Sequence, residues 1–434
     1  MAQQKTILDE EVFPIMGYAG PSGDMINRQV MSDMAAAGFT VSHSDAGEDM
    51  DDVMRALDVA AEAGVRLVLR QPAWDRLRRR SKDGVSLPDG WQRDIEQVVP
   101  RVQEHPGLYG YFLCDEPWFC HLDVIAQIMQ FVRSIDSYHI CYVNHHPPIY
   151  GFGAPTVDEF WRYFTEKAQP RFLSYDHYPI QVAMQEEIEA RRDEPNVFPE
   201  EHIIVKPDYF ECLELARTFS VRLGIPFWAF TNAVRHAAYP KPTEGHIRWQ
   251  LMNDLAYGAK GLEYFTYSHD QAMVRPDGSL TETWEIARRV NEEIHYLAPV
   301  LRTLRSIGVF RTGPVWSGTR ALHDTADHIR MSENMVPRVS RLAVNCEGDP
   351  VTIGLFLNPE GQLHIFVVNG SHCSPSRIVL RVNHEEDEEL FLIDPVRRRT
   401  GGLYPTFPRW QMVALEPGEG RLFRVGGEGE KANF

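Results

Sequence analysis

The 434-residue chain has few cysteines and little concentrated positive charge. Its six cysteines are scattered, and neither a Cys-x-x-Cys pair nor a Cys/His spacing typical of a zinc site appears. The 44 Lys and Arg residues stand against 61 Asp and Glu residues, which gives a net charge of −17. This balance argues against nucleic acid as a partner, because phosphate binding needs clustered cations.

Long apolar runs are also missing. No stretch reaches the ~18 apolar residues that a membrane span requires, so we expect no membrane partner. The first sixteen residues lack the charged-then-apolar layout of a signal peptide. We therefore expect a soluble protein. Its place would be the cytoplasm, or the periplasm or cell exterior if a leader has been removed. The sequence leaves the oligomeric state open.

Eight short apolar runs recur along the first 270 residues, and each turns polar at its C-terminal end. Continuous rather than alternating hydrophobicity predicts parallel strands that are covered on both faces. The runs are 12–21, 39–46, 66–73, 109–117, 139–148, 171–180, 225–233 and 261–270.

Helical patterns fill the gaps between these runs. The segment 49–64 begins with acidic residues and ends at Gly64, as helix-dipole and C-cap preferences favour. Eight strand–helix units in about 300 residues predict a (β/α)₈ TIM barrel. A doubly wound open sheet is the main alternative, but no G-x-G-x-x-G follows the first strand, so a dinucleotide cofactor has little support.

The hydrophobicity pattern of the sequence changes after about residue 305. Short alternating strands follow, separated by Gly, Pro and Asn, and 351–371 is typical of a hairpin with its turn at 358–361. We expect a C-terminal antiparallel β-sandwich. The predicted domains are a barrel over 1–310 and a sandwich over 311–434.

Polar and aromatic side chains gather where the predicted barrel strands end. Active sites of such barrels lie at this face. Carboxylates, amides, imidazoles and aromatic rings together suit a sugar, because rings stack on its C–H faces and polar groups bind its hydroxyls. The predicted substrate-binding residues are Asp45, Asp115, Trp118, Asn144, His145, His177, Tyr178, Asn232 and Tyr267.

Two adjacent acids close the fourth run, "YGYFLCDEPW". A carboxylate there is costly to bury unless it is used, paired or hydrogen-bonded. We interpret Glu116 as a general acid whose pKa burial raises, and Asp176 as the second catalytic carboxylate. The structural alternative for Glu116 is a cap on the next helix, since Pro117 suits the first helical position.

This motif resembles the fourth-strand Asn/Asp-Glu-Pro triplet of clan A glycoside hydrolases. The segments "GYAGPSGD", "SYDHYPI" and 225–270 resemble the matching parts of β-galactosidase-like, family-42-type barrels. The resemblance implies a TIM barrel with a C-terminal sandwich, with Glu116 as acid/base and Asp115 in contact with the sugar's 2-hydroxyl.

The seventh strand departs from that family, which carries its nucleophilic Glu there. This chain has Thr231 and Asn232 instead. Another carboxylate could serve, such as Asp176, Asp45 or Glu263. The enzyme could then invert the anomeric centre, with carboxyls ~6.5–9.5 Å apart. Alternatively, the protein binds glycans without cleaving them.

A metal-dependent barrel hydrolase is a further alternative. His145, His146, His177 and Asp270 have suitable positions on the fifth, sixth and eighth strands. That arrangement also needs a His-x-His on the first strand, and none is present. The preferred hypothesis is a glycoside hydrolase that acts on an oligo- or polysaccharide without a metal or other cofactor.

Overall fold

The computed structural model describes residues 5–74, 77, 86–314, 316, 318–321, 343–383, 388–394, 399–400 and 410–427. It divides into two compact units. The first unit is Met1–His177, Ile225–Arg235 and Gly261–Asn291, and the second is Tyr178–Gly224, His236–Lys260 and Glu292–Phe434. The domain boundary after residue 310 stays a prediction.

The first unit contains a closed parallel barrel. Its strands are β1 (Ile15–Tyr18), β2 (Val41–Asp45), β3 (Arg66–Arg70), β4 (Leu108–Asp115), β5 (Ile140–His145), β6 (Leu173–Tyr175), β10 (Phe227–Asn232) and β11 (Gly261–Phe265). Their order around the barrel is β1-β11-β10-β6-β5-β4-β3-β2. Each strand lies inside one of the eight apolar runs or within one residue of it, so the predicted TIM barrel is confirmed.

Helices alternate with the strands. Those among the described residues are α1 (Arg28–Ala36), α2 (Met50–Ala63), α3 (Gln92–Glu96), α4 (Val99–Val102), α5 (Leu122–Ile135), α6 (Val157–Ala168), α7 (Gln185–Ala190), α8 (Tyr209–Leu223), α9 (Glu244–Ala256) and α10 (Glu282–Leu301). Local chemistry sets their ends: the Asp49 side chain caps α2, and Gly64 terminates it at φ +81°. None of these helices combines the length and apolarity needed to cross a bilayer.

Aromatic rings fill the barrel interior. Tyr18 lies 5.0 Å from Phe230 and 6.5 Å from Tyr142, measured between ring centroids. Residue 261 must be glycine here, because a Cβ would come 2.5 Å from the indole of Trp228 on the adjacent strand. Large rings thus close the barrel core and leave polar groups to its C-terminal rim.

Antiparallel strands form the C-terminal part of the second unit. They are β12 (Arg305–Arg311), β13 (Ala343–Gly348), β14 (Val351–Leu357), β15 (Leu363–Asn369), β16 (Ser376–Asn383), β17 (Glu388–Asp394), β18 (Arg399–Thr400), β19 (Trp410–Leu415) and β20 (Gly420–Gly427). One sheet has the order β12-β14-β15-β20-β17-β18 and the other β13-β16-β19. Residues of both sheets share one core, including Ile353, Ile365, Leu380 and Val413. The predicted β-sandwich is confirmed.

The second unit also holds a small sheet that the sequence did not reveal. Its strands are β7 (Ile180–Val182), β8 (Val197–Phe198) and β9 (Ile203–Val205), in the order β7-β9-β8. Helix α9 of the same unit is buried along most of its length and packs on β14 and β15.

Candidate active site at the barrel rim

The carboxyl ends of β4, β5 and β6 bring two acids and an amide together. Asp115 and Asn144 are paired neighbours in the β4–β5 register. The amide Nδ2 of Asn144 donates to Oδ1 of Asp115 and to Oδ2 of Asp176, each at 2.9 Å. One buried amide therefore holds the two carboxyl groups in place.

Glu116 follows β4 directly and has an unusual backbone. Its φ is +44°, in the left-handed region that a non-glycine residue seldom adopts. Its N–H donates to the carbonyl oxygen of Asn144 at 2.9 Å. Oε1 of Glu116 lies 3.2 Å from Nδ1 of His146. The end of β5 thus fixes both the backbone and the side chain of Glu116.

The charge state of Glu116 differs from the sequence-based expectation. Its side chain is 44% exposed. The hydrogen bond from His146 lowers the pKa of Glu116, more than partial burial raises it, and a hydrogen bond with Asp176 lowers it further. The expectation that burial raises this pKa is wrong, because β4 delivers the carboxyl to an open rim beside an imidazole donor.

The contact between Glu116 and Asp176 has a chemical consequence. An ionised carboxylate only accepts hydrogen bonds, so a hydrogen bond between two carboxyl groups requires a proton on one of them. His146 favours the ionised form of Glu116. Glu116 is thus the member of this pair whose ionised form is favoured.

A third carboxyl lies deeper in the barrel. Glu263 on β11 is fully buried. It accepts hydrogen bonds from the hydroxyls of Tyr142 and Ser174, both at 2.6 Å. Burial raises the pKa of Glu263 to about 8, and the charges of Asp176 and Asp115 contribute in the same direction. Glu263 is therefore protonated at neutral pH.

Tyr18 at the end of β1 faces the same group of acids. Burial raises the pKa of its hydroxyl well above the ordinary value, and the charge of Asp115 and a hydrogen bond with it add to this effect. The ring of His43 stacks on Tyr18 with 4.4 Å between centroids. Burial lowers the pKa of His43 to about 3, so this imidazole is neutral.

An exposed aromatic strip lies beside the carboxyl pair, and we define it as Trp118, Tyr150 and Phe152. The side chain of Trp118 is 53% exposed and that of Tyr150 is 47% exposed. Phe152 lies 6.0 Å from Trp118 and 5.6 Å from Tyr150 between ring centroids. Phe152 also stacks on His146 at 3.4 Å. Trp118 follows Glu116 by two residues, so the strip begins at the acids.

Solved structures share this architecture. A family 5 glycoside hydrolase from Bacteroides vulgatus matches with a TM-score of 0.52 and 10% identity, over 96% of this chain and 90% of that one. A protein of Bacteroides fragilis titled as a candidate alpha-galactosidase matches with a TM-score of 0.51 and 11% identity, over 95% and 79%. The fold is that of the TIM-barrel glycoside hydrolases. The predicted resemblance to clan A is confirmed at this level.

The resemblance to these hydrolases is one of fold. A beta-galactosidase from the psychrophilic Marinomonas ef1 matches with a TM-score of 0.49 and 13% identity, over 67% of this chain. This chain spans only 62% of that enzyme and 58% of a beta-galactosidase from Halorubrum lacusprofundi. No protein-family model and no curated protein matches the sequence.

Two of the predicted substrate-binding residues lie away from the carboxyl pair of the barrel, and a third belongs to the other unit. His145 points to helix α6, where its ring lies 4.4 Å from Phe164. Tyr267 is fully buried and packs against Phe39. Tyr178 belongs to the second unit, where its ring contacts Tyr239.

The other predicted residues remain near strand ends. Oδ1 of Asp45 accepts the N–H of Gly47 and closes the turn after β2. His177 and Asn232 are buried, the first just beyond β6 and the second at the end of β10. The seventh strand of the barrel, β10, thus ends with Thr231 and Asn232, as the sequence indicates.

Sequence reasoning missed Tyr18 and Phe152, and it considered His146 only as a metal ligand. Strand alternation could have found His146. Side chains of a barrel strand point inward and outward in turn. With Asn144 facing the rim, His145 must face the helices and His146 the rim. No sequence signal marks Phe152, which reaches His146 through the loop after β5.

Proposed function

We propose that the protein hydrolyses a glycosidic bond in an oligo- or polysaccharide, with Glu116 and Asp176 as its catalytic carboxyls. The observation that carries this proposal is the contact between these two groups at the rim. Glycosidases need one carboxyl that holds a proton and one that is ionised. His146 supplies the asymmetry between them, through its hydrogen bond to Glu116.

The asymmetry assigns a role to each carboxyl. Glu116 is the ionised partner, because the N–H of His146 stabilises its negative charge. In this assignment Asp176 holds a proton and gives it to the leaving oxygen of the sugar. Glu116 attacks the anomeric carbon or removes a proton from the attacking water, and the reaction consumes one water overall. These roles are the reverse of the expectation from the fourth-strand motif.

Substrate must enter between the two carboxyls. A retaining pair lies ~5–5.5 Å apart and an inverting pair ~6.5–9.5 Å apart, so the hydrogen bond of the free protein has to open. The sugar's hydroxyls then form hydrogen bonds with Asp115 and Asn144 at the same rim, in place of the bond between Glu116 and Asp176. Trp118 then offers its exposed face to the next ring of the glycan.

A second candidate function is glycan binding without hydrolysis. Two features favour it. The seventh barrel strand ends in Thr231 and Asn232 instead of an acid, and the Glu116 and Asp176 carboxyls are in direct contact instead of spaced around a sugar. The metal-dependent alternative loses support, because His145 faces helix α6 and cannot pair with His146 at the rim.

Turnover decides between hydrolysis and binding. Wild-type protein is incubated with nitrophenyl glycosides and with plant and algal oligosaccharides, beside Glu116→Gln and the exposed control Glu104→Gln. We expect turnover in the wild type and the control, and a loss of ~10²–10⁴-fold in Glu116→Gln. Binding of an oligosaccharide without turnover would establish the second candidate. On the best substrate, the product anomer seen by NMR then distinguishes retention from inversion.

A further inference from the structure

The second unit contains a cluster of metal-binding side chains that has no part in the proposed hydrolysis. Ligand atoms of Glu201, His372 and Cys373 all lie within 4.8 Å of one another. Oε2 of Glu201 is 3.6 Å from Nδ1 of His372 and 3.4 Å from Nε2 of His246. In the part of the chain that the structure describes, no other group of three or more such side chains comes this close.

His372 is the unusual member. Its side chain is fully buried. Neither of its ring nitrogens has a hydrogen-bond partner among the described residues. The distance of 3.6 Å from Nδ1 to Glu201 is too long for a hydrogen bond. A buried imidazole without partners costs free energy, and that cost is removed if a ligand lies between the imidazole and the carboxylate.

Two distant segments of the second unit supply the cluster. Glu201 ends a 3₁₀ turn after β8, and His372 and Cys373 follow β15. Helix α9 comes close to the cluster at Gly245, where a Cβ would lie 2.0 Å from the carbonyl oxygen of His372. Such separations in sequence explain why no Cys/His spacing signals the cluster.

The spacing of the ligand atoms fits a small tetrahedral ion. Bonds of ~2.0–2.1 Å place neighbouring ligand atoms of a tetrahedron about 3.4 Å apart. The separation of 3.6 Å between Oε2 of Glu201 and Nδ1 of His372 is close to this value. We propose that Glu201, His372 and Cys373 bind one zinc ion, with water as its fourth ligand, and that the ion ties the turn after β8 to the segment after β15.

The donor set selects the metal class. An imidazole, a thiolate and a carboxylate suit zinc, whereas magnesium and calcium prefer oxygen ligands alone. Cys373 is exposed, which gives the ion a route to the buried imidazole of His372. Binding converts the Cys373 thiol to a thiolate, and one proton leaves for solvent with each ion bound.

Cobalt titration tests the site, since Co²⁺ replaces zinc and reports thiolate ligation in the near ultraviolet. Full-length protein without a histidine tag is stripped with chelator and titrated. We expect one Co²⁺ per chain with a thiolate charge-transfer band that zinc abolishes. Cys373→Ser should lose the band and bind about a hundredfold more weakly. The exposed control Cys120→Ser should behave as wild type. Failure to bind one ion per chain, or an unchanged band in Cys373→Ser, would overturn the proposal.

Thermal unfolding gives a second readout that does not need the cysteine. Zinc should raise the Tm of the stripped wild type, because it binds the folded state alone. The rise should be absent in His372→Ala and in Glu201→Gln. Circular dichroism of the metal-free variants shows whether they fold, and a folded His372→Ala that gains the full rise contradicts the site. Neither experiment involves the carboxyl pair, so this proposal and the proposed hydrolysis fail separately.

Discussion

Nδ1 of His146 lies 3.2 Å from Oε1 of Glu116, and this contact lowers the pKa of Glu116. His146 also stacks on Phe152, with 11° between the ring planes. An aromatic residue of the loop after β5 therefore packs on the imidazole that lowers the pKa of an acid following β4.

Removal of His146 should alter the pH dependence of turnover. The hydrogen bond lowers the pKa of Glu116, and activity requires ionised Glu116, so activity rises as the pH increases through that pKa. In His146→Ala the pKa of Glu116 rises towards its ordinary value, so the acidic limb of the pH profile of kcat/KM moves to higher pH. We expect kcat/KM to be about 10- to 100-fold lower at neutral pH. His146→Gln keeps an N–H donor, so it should restore part of the activity and bring the acidic limb part of the way back. An acidic limb at the wild-type position in His146→Ala would contradict the assignment.

Glu263→Gln should make the protein more stable at neutral and alkaline pH. The pKa of Glu263 is raised from 4.5 to about 8 in the folded state. The wild type therefore loses stability as the pH rises from 4.5 to 8, by up to about 5 kcal/mol. A glutamine matches the protonated acid and keeps contacts with Tyr142 and Ser174. Urea unfolding at several pH values should show a steep fall for the wild type and a flatter course for the variant. If the free energy of unfolding fell equally steeply with pH in both proteins, a protonated Glu263 would be contradicted.

Asn144→Ala should damage the site more than the fold. The amide is a shared hydrogen-bond donor to Asp115 and Asp176. Its loss leaves both carboxyl groups without this donor, so we expect kcat/KM to fall by about 10- to 100-fold and the free energy of unfolding by about 1–3 kcal/mol. Kinetics and urea unfolding of the same preparation measure both. Full activity in this variant would exclude an organising role for Asn144.

The exposed ring of Trp118 should bind sugar without supporting the fold. In Trp118→Ala we expect KM for oligosaccharides to rise about three- to tenfold, with kcat little changed. The Tm should stay near that of the wild type, since the side chain is 53% exposed. Trp118→Phe keeps a ring and should lie between the two. An unchanged KM in the alanine variant would remove the aromatic strip from the binding site.

The fold could be predicted because its signals are local. Strands that are buried on both faces read as continuous apolar runs, and the hairpin of β14 and β15 is marked by Asn358 and Gly361 at its turn. The small sheet of β7, β8 and β9 was missed because its strands have two or three residues. So short a strand has no periodicity to detect.

The site was harder to predict because its properties depend on distant neighbours. The sequence indicates that Glu116 ends a strand, yet the sign of its pKa shift depends on His146, thirty positions away. Likewise, the position of Glu263 early in β11 indicates a deep carboxyl, but its raised pKa follows from complete burial and from the charges of Asp176 and Asp115, against the lowering effect of the hydrogen bonds from Ser174 and Tyr142.

The most direct test of the account is the kinetic coupling between Glu116 and Asp176. Glu116→Gln, Asp176→Asn and the double variant are compared on the best substrate, with the fold of each checked by circular dichroism. Residues that act as one catalytic unit have non-additive effects. We predict that each single variant loses ~10²–10⁴-fold in kcat and that the double variant loses little more than the worse single one. Wild-type turnover in either folded single variant would contradict the central claim.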